Sequence, residues 1–247
     1  MRTANRFQNS PKDLLIMQKR QRLIRPSVLL CILTLLTAAA HAQWAPMNSV
    51  TAVQQQPDGV VFTMQRGTLK LQVCTDSIIR VRYSATSTFS DRPDYVITKT
   101  SWPEAKWTMQ STDDGVTLTT ARLAITLTRK DGGITYRDLD GKQLLQEATR
   151  KLTPVKVNGE DTYRAESFIN IYGSHEALYG LGQHQAGVWN YRGESVDISQ
   201  DNTNIAVPLL LSSQGYGLYW NNDSRSRFNN RFANYMYITS EVADNID

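Results

Sequence analysis

Short segments of alternating apolar and polar residues, separated by turns rich in Asp and Gly, constrain this chain more than any other feature. Apolar residues alternate in 68–74 and again in 79–83. The sequence Asp-Gly-Gly at 131–133 predicts a hairpin that joins Leu123–Thr128 to Ile134–Asp138. Turn signals that recur about every 8 to 12 residues indicate an antiparallel β-sandwich or barrel.

Two further segments have weaker patterns. Residues 95–98 follow a turn-rich tetrapeptide and predict a short strand, and residues 142–151 are the best candidate for a helix. No linker, low-complexity tract or internal repeat interrupts residues 43–247. We therefore expect these residues to form a single all-β domain.

The basic excess of the chain lies at its N-terminus. The 247 residues contain 27 Lys or Arg and 23 Asp or Glu, a net charge of +4. Seven of the basic residues and one acidic residue fall within 1–42, which leaves 20 basic and 22 acidic residues and a charge near −2 for the remainder. This balance gives no reason to expect a nucleic-acid or anionic-lipid partner.

Residues 1–42 have the features of a secretory signal peptide. Basic residues up to Arg25 precede an apolar run of 13 residues at 28–40, and small residues flank His41. The run is shorter than the roughly 20 residues that span a bilayer, although an uncleaved anchor is an alternative. We expect cleavage after Ala42 and a secreted or periplasmic product, with Met17 as a second possible start.

The chain contains no recognisable metal or cofactor motif. Cys74 is the only cysteine after the leader, so an intrachain disulfide or cysteine cluster is not expected, and we interpret its thiol as inert. His175 and His184 have no acidic ligand at a spacing that completes a zinc site. We therefore predict neither a metal nor a cofactor.

Catalytic patterns are also missing. No Gly-x-Ser-x-Gly elbow is present, and the glycines at 180 and 182 open no helix that could bind phosphate. Glu194 and Asp197 are three residues apart on an extended segment, so their side chains should point to opposite faces. A pair of carboxylates for glycoside hydrolysis must instead face one bond, and we assign no catalytic residue.

Glycines, aromatic rings and side-chain amides are concentrated between Glu176 and Arg227. In-plane hydrogen bonds from amides and carboxylates suit sugar hydroxyls, and aromatic faces cover the C–H side of a pyranose. The alternative is that the rings pack on the sandwich and the amides serve turns. The run Ile205–Ser212 has the composition of a buried strand. The polar and aromatic candidates are Gln183, Trp189, Asn190, Tyr191, Gln200, Asp201, Asn202 and Thr203.

Four elements of this segment together carry a family resemblance. They are Glu-Ala-Leu-Tyr-Gly-Leu-Gly-Gln at 176–183, Asn-Tyr-Arg-Gly at 190–193, Gln-Asp-Asn-Thr-Asn-Ile-Ala-Val-Pro-Leu-Leu-Leu-Ser at 200–212, and Gly-Tyr-Gly-Leu-Tyr-Trp-Asn-Asn at 215–222. The segment resembles the N-terminal domain of glycoside hydrolase family 31, and within it the bacterial α-xylosidases. The α-glucosidase members more often have Gly-Glu at the position of Gly182-Gln183.

The resemblance implies a galactose-mutarotase-like antiparallel β-sandwich that packs on a (β/α)₈ barrel. In the family, the barrel carries the two catalytic aspartates of a retaining mechanism, and one sandwich loop reaches over its mouth. The substrate implied is an α-linked oligosaccharide of the xyloglucan or glucan type. The substrate-binding residues implied for this chain are Gln200, Asp201, Asn202 and Thr203, with Gln183 and Tyr191 behind them.

On this reading the chain stops before the barrel, so we expect a fragment that lacks the final strand or strands of the sandwich and has no glycosidase activity of its own. Two alternatives remain open. One is a free-standing carbohydrate-binding or structural β-sandwich, and the other is an α-glucosidase as the parent enzyme. Mutarotase activity needs a placed acid/base pair, and the two remaining histidines show no such arrangement.

Overall fold

The computed structural model describes residues 48–99, 101–171, 175–232 and 234–247. The predicted signal peptide lies outside these ranges. Within them the backbone forms strands, turns and loops without a helix, and consequently no helix long and apolar enough to cross a membrane. The strands are β1 Val50–Gln56, β2 Gly59–Met64, β3 Thr68–Val73, β4 Ile79–Ser84, β5 Thr108–Ser111, β6 Gly115–Thr119, β7 Leu123–Thr128, β8 Ile134–Asp138, β9 Gln143–Val157, β10 Glu160–Asn170, β11 Leu178–Gln183, β12 Ser195–Ile198, β13 Ile205–Ser212, β14 Gly217–Tyr219, β15 Ser226–Asn229 and β16 Tyr235–Ala243.

The strands form three antiparallel sheets. Four strands pair in the order β1-β2-β3-β4, and nine pair in the order β12-β15-β16-β10-β9-β8-β7-β6-β5. A smaller sheet has the order β11-β13-β14. One cluster of buried side chains contains residues from all three sheets, among them Phe62, Leu210 and Phe228. The predicted all-β antiparallel sandwich is therefore confirmed.

The turn chemistry read from the sequence sets the register of the β7–β8 hairpin. Leu127 pairs with Ile134, and Gly132 has a φ of 72°, a left-handed conformation that favours glycine. The Asp131 carboxylate accepts the N–H of Gly133 at 2.9 Å. Because side chains alternate along paired strands, this register places Ile125, Leu127 and Ile134 in the core.

Two local predictions were wrong. Residues 95–98 form no strand, because the Asp94 carboxylate accepts the N–H groups of Val96 and Ile97 at 3.0 and 2.7 Å and so closes a turn. The helical candidate at 142–151 is extended instead, since all of it after Lys142 lies in the 15-residue strand β9. Pairing with β8 on one side and β10 on the other overrides a weak helical pattern there.

Candidate functional site

The loop between β12 and β13 forms a tight reverse turn. Asp201 and Asn204 exchange backbone hydrogen bonds at 3.4 and 3.2 Å. Thr203 has a φ of 77°, unusual for a residue with a branched side chain, and the N–H of Asn202 donates to the Asp201 carboxylate at 2.7 Å. The turn therefore has a defined backbone conformation.

Side-chain amides attach this turn to the neighbouring strands. The Gln200 side-chain oxygen accepts the N–H of Ala206 at 3.2 Å, and the Asn204 side-chain oxygen accepts the N–H of Gln185 at 3.0 Å. The side chains of Asn202 and Thr203 are exposed and make no hydrogen bond with other described residues. The turn thus presents one amide and one hydroxyl that are free to bind a ligand.

The remaining two predicted site residues occupy different environments. Gln183, at the end of β11, is exposed and pairs with Ile205, the residue after the turn. Tyr191 is 4% exposed and packs edge-on against His184, with 6.3 Å between ring centroids. Burial raises the pKa of the Tyr191 phenol above its ordinary value. Five of the six residues therefore lie at one surface, whereas the position of Tyr191 in the core does not fit direct contact with a sugar.

The loop that follows β11 presents an exposed tryptophan. Trp189 is 85% exposed, although the next residues are held in place. The Asn190 side-chain oxygen accepts the N–H groups of Leu178 and Arg192, both at 3.0 Å, and the N–H of Tyr191 donates to the carbonyl of Leu178 at 2.8 Å. Asn190 therefore serves the loop backbone, and Trp189 is the ring that faces outward.

Strand β13 has an exposed apolar side, which sequence reasoning missed. The run Ile205–Ser212 has the composition of a buried strand, but only alternate residues, such as Leu210 at 1% exposure, point into the core. Since nearly every residue in the run is apolar, the sequence carries no alternation from which an outer side could be read. We call the large apolar residues that point outward from β11 and β13 the apolar face. They are Tyr179, Ile205, Val207, Leu209 and Leu211.

A buried carboxylate holds the β13–β14 hairpin beneath this face. One oxygen of Glu176, which is 2% exposed, accepts the hydroxyls of Ser212 and Tyr216, each at 2.5 Å. Burial and the bond to Glu176 raise the pKa of the Tyr216 phenol far above its ordinary value. Because Glu176 is buried and bonded to this hairpin, we interpret it as a residue that positions the hairpin rather than one that reacts with substrate.

Two other ionisable groups singled out in the sequence are not free to bind a ligand, since one is held in ion pairs and the other is buried. Arg227 donates to the Asp197 carboxylate at 2.5 Å and, with Arg225, holds the pKa of that carboxyl below its usual range. Cys74 is buried, and burial raises the pKa of its thiol. In the described part of the chain no group of three or more His, Cys, Asp or Glu side chains is placed to hold a metal ion.

A polar cleft of about 300 Å³ lies apart from these residues, between β4 and β16. Several of its charges are paired within the cleft: Arg80 contacts the carboxylates of Asp247 and Asp94, and Arg92 lies 3.0 Å from Asp244. Arg82 and Asp223 line the same cleft without an ion pair among the described residues. Most of the residues singled out in the sequence lie instead at the apolar face and its adjoining turn, which we therefore take as the candidate site.

Comparison with known families identifies the domain type. Residues 68–229 match the family model described as the glycosyl hydrolase 31 N-terminal galactose mutarotase-like domain. The match covers the strands from β3 to β15 and the candidate site. The galactose-mutarotase-like fold predicted from the sequence is thereby confirmed.

The chain spans less than half the length of the individual relatives that it matches. The chain is 30% identical over 142 residues to an α-xylosidase of Saccharolobus solfataricus, covering 53% of this chain and 19% of that protein. It is 24% identical to an uncharacterized family 31 glucosidase of Pseudescherichia vulneris, covering 78% of this chain and 40% of that protein. The crystal structure of the α-xylosidase from Xanthomonas citri superimposes with a TM-score of 0.67 at 31% identity, over 71% of this chain and 20% of that one.

Proposed function

Because the chain belongs to the glycosyl hydrolase 31 N-terminal galactose mutarotase-like domains, we propose that it acts as the accessory domain of an α-glycosidase. In this role it packs on a catalytic barrel through the apolar face and contributes the turn at 200–203 to the rim of the substrate site. The hydrolysis itself, with retention, is carried out by two carboxylates of the barrel and not by residues of this chain.

The observation that supports this proposal most strongly is the position of the apolar face beside the polar turn. Val207, Leu209 and Leu211 are 43%, 38% and 49% exposed on the outer side of one strand. A contiguous apolar surface of this kind marks an interface, since water solvates it poorly. Ile205, at the end of the same row, directly follows the turn, so a partner seated on the face would have the turn at its edge.

The chemistry of the turn suits the rim of a sugar-binding site. The Asn202 amide can donate and accept in one plane, and the Thr203 hydroxyl can do both, which matches vicinal sugar hydroxyls. The paired backbone of Asp201 and Asn204 fixes the turn from which both side chains project before a ligand arrives. Such preorganisation reduces the entropy lost on binding.

We propose an α-xylosyl group as the substrate unit, because the relatives reported above at 30% and 31% identity are described as α-xylosidases. An α-glucosyl group is the second candidate, supported by the family 31 glucosidase at 24% identity. The leader at 1–42 supports a secreted or periplasmic location for the product.

A chimaeric enzyme tests the proposal. Residues 43–247 would replace the corresponding N-terminal domain of the Xanthomonas citri α-xylosidase, with kcat/KM measured on aryl α-xyloside and aryl α-glucoside. We expect no turnover by the 247-residue chain alone and clear turnover by the chimaera. Asn202→Ala should lower kcat/KM about tenfold, the effect of losing roughly 1.4 kcal/mol of transition-state binding.

Two further variants separate docking from substrate contact. Leu209→Asp should prevent assembly of an active chimaera, because a carboxylate cannot be buried unpaired in the interface. Gln55→Ala removes an exposed amide on β1 and should leave kcat/KM unchanged. Turnover by the chain alone, or full activity of the Leu209→Asp chimaera, would contradict the proposal.

A further inference from the structure

A row of aromatic rings lies on the outer side of the nine-stranded sheet. The Tyr235 ring is 4.3 Å from that of Phe168 and 5.3 Å from that of Phe232, measured between centroids, and Phe168 is 6.4 Å from Tyr237. Phe232 is 60% exposed, and the other three rings are half-buried. We call these four residues the aromatic strip.

Strand alternation places the strip on the outside. On β10, Ser167 and Ile169 are buried in the sandwich, so Phe168 between them points outward. On β16, Met236 and Ile238 are buried in the same way, and Tyr237 pairs with Phe168 across the ladder. The strip therefore lies on the outer side of the nine-stranded sheet, whereas the apolar face lies on the separate sheet β11-β13-β14.

Polar side chains with planar groups flank the strip. The Tyr237 hydroxyl donates to the Glu166 carboxylate, and the Asn170 amide donates to the Gln146 side-chain oxygen at 3.0 Å. Asn229 pairs with Tyr237 on the other side, in β15. Rings edged by amides and carboxylates can cover the C–H side of a pyranose while bonding its hydroxyls.

Charge favours a neutral ligand. Glu166 faces Lys151 across the β9–β10 ladder, and Arg227, on the same outer side, is paired with Asp197. Side chains of both charge signs thus surround the strip, which is unlike the uniformly basic surface that binds nucleic acid or anionic lipid. The strip also lacks the aliphatic residues that make up the apolar face.

We propose that the aromatic strip is a second carbohydrate-binding surface, which holds a neutral polysaccharide chain at a distance from the rim of the substrate site. The choice of a glycan as the ligand rests on the proposed function, whereas the position of the surface rests on its own geometry. Phe232, the most exposed ring, provides the main stacking face, and Asn170 and Glu166 orient the sugar hydroxyls.

Affinity electrophoresis of the 247-residue chain tests this surface. Native gels would contain xyloglucan, dextran or no polysaccharide, and titration calorimetry with matching oligosaccharides would give association constants. We expect retardation by at least one polysaccharide. Phe232→Ala and Tyr235→Ala should each lower the association constant about fivefold or more, a typical effect of truncating a central contact.

Tyr95→Ala provides the matched control, because Tyr95 is 79% exposed and lies in the loop between β4 and β5, outside the residues of either surface. It should leave retardation unchanged, and thermal melts should show that every variant remains folded. Absence of retardation in all gels, or equal retardation of wild type and Phe232→Ala, would overturn the proposal. Since the chain is tested without a barrel, failure here is distinguishable from failure of the chimaera.

Discussion

Arg150 and Glu147 form an ion pair inside the sandwich, at 4% and 10% side-chain exposure. The two guanidinium–carboxylate hydrogen bonds measure 3.1 and 2.7 Å, Ser167 donates to the same carboxylate at 2.9 Å, and Arg150 also donates to the carbonyl of Gly132 at 2.9 Å. Removing two charges from water costs free energy. This cost is offset only when the charges are paired and their remaining hydrogen bonds are satisfied, as they are here. The pair therefore links β9, β10 and the β7–β8 turn.

Removing one charge of this pair should be much worse than removing both. We expect Arg150→Met to lower the free energy of unfolding by about 3 to 5 kcal/mol, because Glu147 then remains buried without its counter-charge. Adding Glu147→Leu should recover much of that loss. Urea unfolding measures both values, and a double variant no more stable than Arg150→Met would contradict the expectation.

An exposed pair provides the control. Arg122 is 72% exposed and lies 3.8 Å from Asp76. Arg122→Met should therefore change the free energy of unfolding by no more than about 1 kcal/mol. A similar loss at both arginines would mean that burial is not the cause.

At the scale of elements, the Gly-Leu-Gly sequence of β11 has a structural role. Gly180, Leu181 and Gly182 have φ values of 100°, 62° and 97°, and the register with β13 shifts between the two glycines. This bulge turns the Leu181 side chain into the core, where it is 3% exposed. The bulge also sets the pairing of Gln183 with Ile205, and hence the position of the candidate rim beside the apolar face.

Gly182→Ala should disrupt this bulge. A Cβ there would lie 1.9 Å from the carbonyl oxygen of Ile205, in addition to the strain of a left-handed φ. We expect a loss of about 3 kcal/mol or more in the free energy of unfolding, measured in urea. Gly215 has a similar φ of 90° but open space around a new Cβ, so Gly215→Ala should cost only about 1 to 2 kcal/mol. Equal losses at the two glycines would exclude the close approach as the cause.

At the scale of the whole molecule, all three sheets share one core. Trp220, which follows β14, is 5% exposed and donates to the Ser240 hydroxyl of β16 at 2.8 Å. Ile246 bridges to Tyr83 at the end of β4. The two smaller sheets therefore bury their side chains in a core that they share with the nine-stranded sheet.

A shared core should produce one unfolding transition. We expect tryptophan fluorescence, which includes Trp220 at the junction of two sheets, and far-ultraviolet circular dichroism to report the same urea midpoint. Trp220→Phe should remove part of the fluorescence change and shift both midpoints together. Two separated transitions would indicate that one sheet unfolds by itself.

Much of the fold is predictable from local patterns. Alternation in 68–74 and 79–83 places β3 and β4 within a residue or so of their ends, and the Asp-Gly-Gly turn predicts the β7–β8 hairpin. The family resemblance, carried by motifs between 176 and 222, is confirmed by the match over 68–229. Five of the six site residues lie at the surface as expected, but their role as ligands stays a prediction.

Periodicity and turn residues were sufficient for the all-β class and the hairpin turns, because these depend on side-chain alternation and on residues adjacent in sequence. The family was indicated by the resemblance of the motifs between 176 and 222. Only the tertiary structure decided that Tyr191 is buried, that 142–151 is extended, and that one side of Ile205–Ser212 is exposed. In an unbroken apolar run, the sequence does not distinguish the residues that point inward from those that point outward. Which side is exposed depends on the layer that the strand covers, and so on contacts between residues distant in sequence.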